Sequence, residues 1–289
     1  MLGRRTLLLL LPLGLGLLAV IGWPLVQTVW LSFTDAQLGD ATGNFVGLAN
    51  YAHALRSHGF RHALQVTLTF SLSTVIIEMI LGLLIGLLLD LPLRGRNILR
   101  GLLLIPWALP TVINAMAWRV IYNPDFGALN ALLTQTGIIG AYRSWLGEPG
   151  VALTAIAAAD IWKTFPFVAL ITLAGLQNVP RELKEAALID GANAWGRFRA
   201  VILPAIITPL TIAAVLRIID TIKVFDIIWI MTRGGPANAT KSLSIMVYEQ
   251  AFSFGNAGYG AAIALLSVAI SVVLIGGYMR VSRAQPATA

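Results

Sequence analysis

Eight ionisable side chains interrupt stretches of this chain that are otherwise apolar: Glu78, Arg119, Asp160, Lys163, Arg217, Asp220, Lys223 and Asp226. A charged side chain at the centre of a bilayer-spanning helix costs about 2.5–3.5 kcal/mol on insertion scales. Such residues therefore face a partner or a water-filled path. Spacing sorts them. Asp160, Lys163, Thr164 and Phe167 fall at i, i+3, i+4 and i+7, one face of a helix, and Arg217, Asp220, Thr221 and Val224 repeat that spacing. Within each set an acid and a base can pair at i, i+3 and partly neutralise one another. Two roles fit, and they are compatible: the polar lining of a translocation path near the midplane, or internal salt bridging that fixes helix packing. Asp226, six residues beyond Asp220, is expected on a different face, in packing or at an outer helix end. Glu78 and Arg119 are expected to pair between helices rather than touch a ligand.

Catalytic chemistry is not indicated. A phosphate-cradling loop needs G-x-x-x-x-G-K-[ST], whereas the one Lys-Thr pair, Lys163-Thr164, follows Trp162 inside an apolar stretch. Neither H-E-x-x-H nor G-x-S-x-G occurs, and there is no cysteine for a thiolate metal site. His53, His58 and His62 have no acid at ligand spacing and read as interfacial loop residues. The chain is not expected to be an enzyme or to hold a cofactor or metal. Any ATP hydrolysis that energises it belongs to another polypeptide.

The elements that must position these charges are membrane helices. Of 289 residues, 57% are hydrophobic and only 11% charged, against about 25% charged in soluble domains. A span needs roughly 20 apolar residues, and six stretches qualify: about 7–31, 63–89, 98–122, 151–176, 204–231 and 258–280. The fold class is thus an all-α polytopic membrane protein, read as one transmembrane domain over 1–289. The first stretch follows Arg4-Arg5, runs past Trp23-Pro24 to Leu31 and has no small-residue cleavage site after it, so it is read as a retained helix. Pro106 and Pro110 are expected to interrupt the third span and Pro166 the fourth, each removing a helix hydrogen bond and favouring a kink. An even number of spans puts both termini on one side. That side carries Arg4, Arg5, Arg94, Arg96, Arg100, Arg181, Lys184, Arg197, Arg199, Arg280 and Arg283, eleven cations; the other carries Arg56, Arg61, Arg143, Arg233 and Lys241, five. The cation-rich side is cytoplasmic. The net charge of +7 therefore reflects orientation rather than nucleic-acid binding. The outer loops, 32–62 and 123–150, are too short for independent domains, so a partner chain is expected to do much of any recognition outside.

Between the fourth and fifth spans lies a polar, small-residue segment, 180–204. Pro180 suits the first turn of a helix, residues 181–190 are expected to form one, and Gly191 can supply the positive φ that ends it. Ala186 and Ala187 permit close backbone approach, Glu185 offers a carboxylate, and Arg197 and Arg199 can reach acidic groups or lipid phosphates. Periodicity alone leaves two readings, docking into a partner's groove or lying on the inner leaflet.

The segment's pattern decides between them. Glu185-Ala186-Ala187, three residues, Gly191, nine residues, then Val201-Ile202-Leu203-Pro204 resembles the EAA loop of binding-protein-dependent ABC importer permeases, with Val201 in place of the usual Ile. "FDIIWIMTRGGPANAT" from Phe225 to Thr240, Tyr248, Phe252, Gly258-Tyr259, "FVGLANY" from Phe45 and "IWKTFPF" from Ile161 are similar to the maltose-type first permease of the carbohydrate-uptake branch. The resemblance covers essentially the whole chain. It implies a type I importer in a bacterial cytoplasmic (inner) membrane. The implied partners are a second permease, two cytoplasmic ATPases that bind the ATP and Mg, and an extracytoplasmic sugar-binding protein. It further implies that Glu185, Ala186, Ala187, Asp190, Gly191 and Arg197 couple to an ATPase. By the same resemblance Asp160, Lys163, Thr164, Phe167, Arg217, Asp220, Thr221 and Val224 fall at sugar-contact positions. Here the sequence departs from the maltose pattern by placing charged residues where that pattern has amide and small groups. A disaccharide such as trehalose or maltose is the favoured cargo. The rival is a proton-coupled secondary transporter or channel using Asp160, Asp220 and Asp226 as a relay, which leaves segment 180–204 without a purpose.

Overall fold

The computed structural model describes residues 12–40 and 43–283. Arg4, Arg5 and residues 7–11 of the expected first span lie outside them. The described chain is almost wholly helical, with an isolated antiparallel bridge between Thr34 and Phe45. It forms two compact units, one of residues up to 62 together with 243–269, the other of 63–242 and the residues from 270 onward. Among the described residues five helices are long and apolar enough to cross a membrane, and two shorter ones bent by 94° at a break make a sixth if they are taken as one span.

In the first unit, α1 (Pro12–Ser32) buries no residue of its most apolar stretch, so that surface suits lipid. The chain after it is more structured than the turn residues of 32–62 suggest. Asn50, on α2 (Ala49–Arg56), donates from Nδ2 to the carbonyls of Ser32 at 3.0 Å and Thr34 at 2.8 Å. The Ser32 hydroxyl lies 2.6 Å from that of Tyr51. The two Asn50 bonds satisfy carbonyls at and just beyond the end of α1 that have no helical partner.

The second unit is built on α3 (His58–Asp90, most of it from residue 63 onward), α4 (Arg96–Ala108), α5 (Thr111–Ile121), α6 (Ala128–Gln135) and α7 (Pro149–Gln177). It continues with α8 (Arg181–Ile189), α9 (Ala194–Ile222) and α10 (Asp226–Met231). Before α7, the Arg143 guanidinium bonds the Glu148 carboxylate, with Nε at 2.8 Å, and this bond holds Glu148 below the usual carboxylate range. α11 (Leu243–Tyr248) belongs to the first unit and α12 (Ala257–Arg283) closes the described chain.

Small residues decide the packing around α7, the most buried span. A Cβ on Gly82 would lie 2.4 Å from Val168, and one on Gly86 would lie 2.6 Å from Thr172, so α3 and α7 meet nearly backbone to backbone. Gly175 similarly admits Ile206 and Pro209 of α9. Val168, Leu176, Ile206 and Leu210 form a buried cluster, against which Met79, Leu83 and Leu87 of α3 pack.

The structure departs from expectation at three places. α7 runs unbroken through Pro166, which is buried within it, so one missing N–H does not break this helix. The third span does break, but at Pro110: Leu109 is extended with ψ 132°, the conformation a following proline favours. The fifth span does not run over 204–231. Instead α9 starts at Ala194, where the Asn193 side chain accepts from the Gly196 N–H at 2.8 Å, and stops at Ile222. Residues 223–225 are irregular before α10.

Candidate functional site

Arg217 of α9 lies at the centre of the charged cluster. Its Nε donates to Glu78 Oε2 at 2.7 Å and its Nη2 to Glu78 Oε1 at 3.0 Å, a bidentate bond from α9 to α3. The same Nη2 donates to Asp160 Oδ2 of α7 at 3.0 Å. The Thr164 hydroxyl lies 2.5 Å from Glu78 Oε1 and 2.6 Å from the Asp160 carbonyl. The Thr221 hydroxyl is 2.6 Å from that of Ser71 on α3. Glu78, Asp160, Thr164, Arg217 and Thr221 are all buried. Three helices are therefore tied at one level by charge-assisted bonds.

The i, i+3 pairing expected within each helix is secondary to this cross-helix bonding. Arg217 does approach Asp220, at 3.7 Å, and Asp220 approaches Lys223 at 3.6 Å. The Asp160 carboxylate, however, is bonded to Arg217 on another helix. Glu78 pairs between helices as expected. Arg119 also reaches across, donating from Nη1 to the Ile230 carbonyl at 3.4 Å.

Above the cluster opens a polar cavity of about 300 Å³. Asp160, Lys163, Thr164, Arg217, Asp220, Thr221 and Val224 line it, together with Thr111, Lys223 and residues 225–227. Phe167 is not among the lining residues; its ring stacks on Trp107 of α4, with centroids 6.0 Å apart. Asp226 joins the lining because α9 ends at Ile222 and the chain turns, which removes the continuous helical phase that set Asp226 apart from Asp220. Thr111 arrives through the break at Pro110. Lys163 is half-buried, whereas Asp220, Lys223 and Asp226 are exposed. The floor of the cavity is thus an ion cluster engaged with itself, and the rim carries ammonium and carboxylate groups able to bond hydroxyls. Among the described residues no group of three or more His, Asp or Glu is placed to hold a metal ion.

The segment after α7 is the other exposed feature. Pro180 immediately precedes α8. Gly191 has φ +75°, and the Gly191 and Ala192 amides donate back to the carbonyls of Leu188 and Ala187 at 3.1 and 3.0 Å, closing the helix. Glu185, Ala186, Asp190 and Gly191 are exposed; Ala187 and Arg197 are half-buried. Leu183, Leu188, Ile189 and Trp195 are also exposed, Ile189 at 87%. Sequence reasoning singles out the acid and the alanines, but not this apolar rim. Its signal is nonetheless present, because four large apolar residues in a polar segment leave a surface wanting cover. On its other side, Lys184 Nζ of α8 lies 3.0 Å from Asp90 Oδ2 at the end of α3.

Known proteins resemble this chain along most of its length. The family model described as "Binding-protein-dependent transport system inner membrane component" matches residues 78–284. The chain is similar to the trehalose/maltose transport system permease protein MalF of Thermococcus litoralis, 41% identical over 276 residues that cover 96% of this chain and 92% of that one. It is also similar to the trehalose transport system permease protein SugA of Mycobacterium tuberculosis, 36% identical over 266 residues covering 91% and 83%. Among solved structures, a bacterial ABC transporter involved in the import of the acidic polysaccharide alginate has a chain that superposes with a TM-score of 0.85. That chain is 21% identical, with coverage of 98% of this chain and 97% of that one, and it shows the fold to be that of type I ABC importer permeases. Glu78, Asp160 and Arg217, the cavity and the exposed segment all fall within the matched residues, and the chain belongs to the family of binding-protein-dependent transport system inner membrane components.

Proposed function

We propose that this chain is one of two permease subunits of an ATP-driven importer that moves a sugar, favoured to be a disaccharide such as trehalose or maltose, into the cytoplasm by alternating access. The observation that carries the reading is the polar cavity between α7, α9 and α10 in a chain that resembles two trehalose permeases. At about 300 Å³ it matches the lower end of small-molecule sites, roughly 300–1,000 Å³. Lys163, Asp220, Lys223 and Asp226 offer charged hydrogen-bonding partners to sugar hydroxyls at its rim. Asp160, Thr164, Arg217 and Thr221 form its floor, and Phe167 supports the α7 wall through Trp107. Charges already paired in the floor hold the helices at fixed distances and leave the rim to meet the cargo.

The chain itself hydrolyses nothing. ATP and Mg are held by two separate cytoplasmic ATPases, which α8 and the Gly191 turn engage through Glu185, Ala186, Asp190 and the apolar Ile189 and Trp195. Both termini and residues 180–204 lie on the cytoplasmic side, and a loaded extracytoplasmic binding protein docks on the opposite face of the two permeases.

The test is reconstitution of the chain with its co-expressed partner subunits in proteoliposomes. Uptake of radiolabelled trehalose or maltose should require both ATP at the ATPase face and the loaded binding protein, and should survive an uncoupler. Uptake driven by a proton gradient without ATP would replace this reading with the proton-coupled one.

A further inference from the structure

We propose that Asp90 and Lys184 are positioning residues, forming the joint through which α8 moves the substrate cavity; the inference rests on the import reading above. The observations concern α3. Counting by four along it gives Glu78, Gly82, Gly86 and Asp90, one slowly turning ridge of the helix. Every member of that ridge is engaged. Glu78 grips Arg217 in the cavity floor with both carboxylate oxygens. Gly82 and Gly86 bring the helix against Val168 and Thr172 so closely that no side chain fits between. Asp90 bonds Lys184 of α8 at 3.0 Å, with both side chains about two-thirds shielded from solvent.

The same end of α3 is fixed from another direction, because Arg100 of α4 donates from Nη2 to the Leu89 carbonyl at 3.0 Å. That carbonyl is one of the last of the helix, without an intrahelical donor, and Leu89 is buried. The end of α3 is therefore held to both α4 and α8. From Asp90 to Glu78 is twelve residues, about 18 Å of helix at 1.5 Å per residue. Seated against α7 at Gly82 and Gly86, midway along that distance, α3 transmits displacement of α8 to the Arg217 cluster instead of bending to absorb it. The Asp90–Lys184 pair is the one charged contact between α8 and this rod in the described residues.

The experiment uses the reconstituted importer with its binding protein and measures radiolabelled trehalose or maltose taken up per ATP hydrolysed, alongside the yield of assembled complex. A partly shielded ion pair shifts an equilibrium by about five-fold. Asp90→Asn and Lys184→Gln should each lower uptake per ATP by about that factor. Lys184→Arg should keep the wild-type ratio, and the exchange of Asp90→Lys with Lys184→Asp should recover most of it. A merely structural role would lower complex yield and leave the ratio of the surviving complex untouched. Single variants at the wild-type ratio overturn the proposal, as does an exchanged pair no better than either single. Failure of both singles to assemble, without rescue by the exchange, also overturns it by assigning the pair to folding. If the wild-type complex hydrolyses ATP yet takes up neither sugar, the import reading fails and the joint with it. That outcome is distinct from a working importer whose variants stay coupled.

Discussion

Replacing Glu78 by Gln tests whether the cavity floor is held by ion pairing. Glu78 is fully buried and accepts two bonds from Arg217 and one from Thr164. Two unit charges about 4 Å apart attract by about 4 kcal/mol at an effective dielectric near 20, and removing one partner of a buried pair costs about 3–5 kcal/mol. In Glu78→Gln the guanidinium keeps Asp160 at 3.0 Å and Asp220 at 3.7 Å, which places the loss near the lower bound, about 3 kcal/mol. Arg217→Met is worse. It leaves Glu78 and Asp160 without the guanidinium that bonds them both, at the upper bound of about 5 kcal/mol. Asp160→Asn is mildest, because it weakens one charge-assisted bond from a side chain that is 11% exposed, about 1.5–3 kcal/mol. The measurement is reversible unfolding of the purified chain in mixed micelles, with the Glu78→Gln, Arg217→Met double variant closing the cycle. Losses should fall in the order Arg217→Met, Glu78→Gln, Asp160→Asn, with a coupling energy well above 1 kcal/mol between Glu78 and Arg217. A Glu78→Gln variant within about 0.5 kcal/mol of wild type, the range of ordinary surface substitutions, would show that the cluster does not hold the helices.

Gly86→Ala places a Cβ 2.6 Å from Thr172 and 3.0 Å from the Ala169 carbonyl. Overpacking of this kind should cost about 1–3 kcal/mol in the same unfolding assay, and a neutral result would contradict the α3–α7 contact. At Gly191 nothing crowds a side chain, so Gly191→Ala meets only the strain of φ +75°, about 1–2 kcal/mol. Gly191→Asn should be better tolerated than Gly191→Ala in protease resistance of the α8 turn, and the reverse order would show that left-handed backbone is not what the turn requires. Asp226→Asn should raise the half-saturating sugar concentration for ATPase stimulation while changing stability by less than about 0.5 kcal/mol. Lost stability with unchanged half-saturation would return Asp226 to a packing role.

The spans were legible because soluble domains seldom carry apolar runs of membrane length. The charges inside them were legible because each costs energy that something must offset. What could not be read was which charges meet. Glu78 and Arg217 are 139 residues apart, and helical spacing connects residues only within a turn or two. It therefore favoured local pairs such as Asp160 with Lys163 over the bonds that α3, α7 and α9 make together. Proline was an uneven guide: Pro110 marks a break, because it follows an extended residue, while Pro166 lies inside an unbroken helix. The end of α9 at Ile222 carries no proline or glycine at all, so the sequence pattern continued through it and misplaced Asp226. In the exposed segment, the end of α8 was legible from Gly191. The ion pair from Lys184 to Asp90 was not, since its members are 94 residues apart.

The Arg217 cluster also has a consequence for biosynthesis. The chain is made from its N-terminus, so α3 and α7 are complete before α9 exists, and their carboxylates precede Arg217 by 139 and 57 residues. Asp160 has Lys163 on its own helix, but until then Glu78 has no cation within its span to offset an insertion cost of about 2.5–3.5 kcal/mol per central charge, and a helix that carries it gains by staying beside protein rather than moving into lipid. Arrival of Arg217 supplies one guanidinium that bonds both acids. The cluster that steadies the mature helices is thus completed only once translation has reached the fifth span.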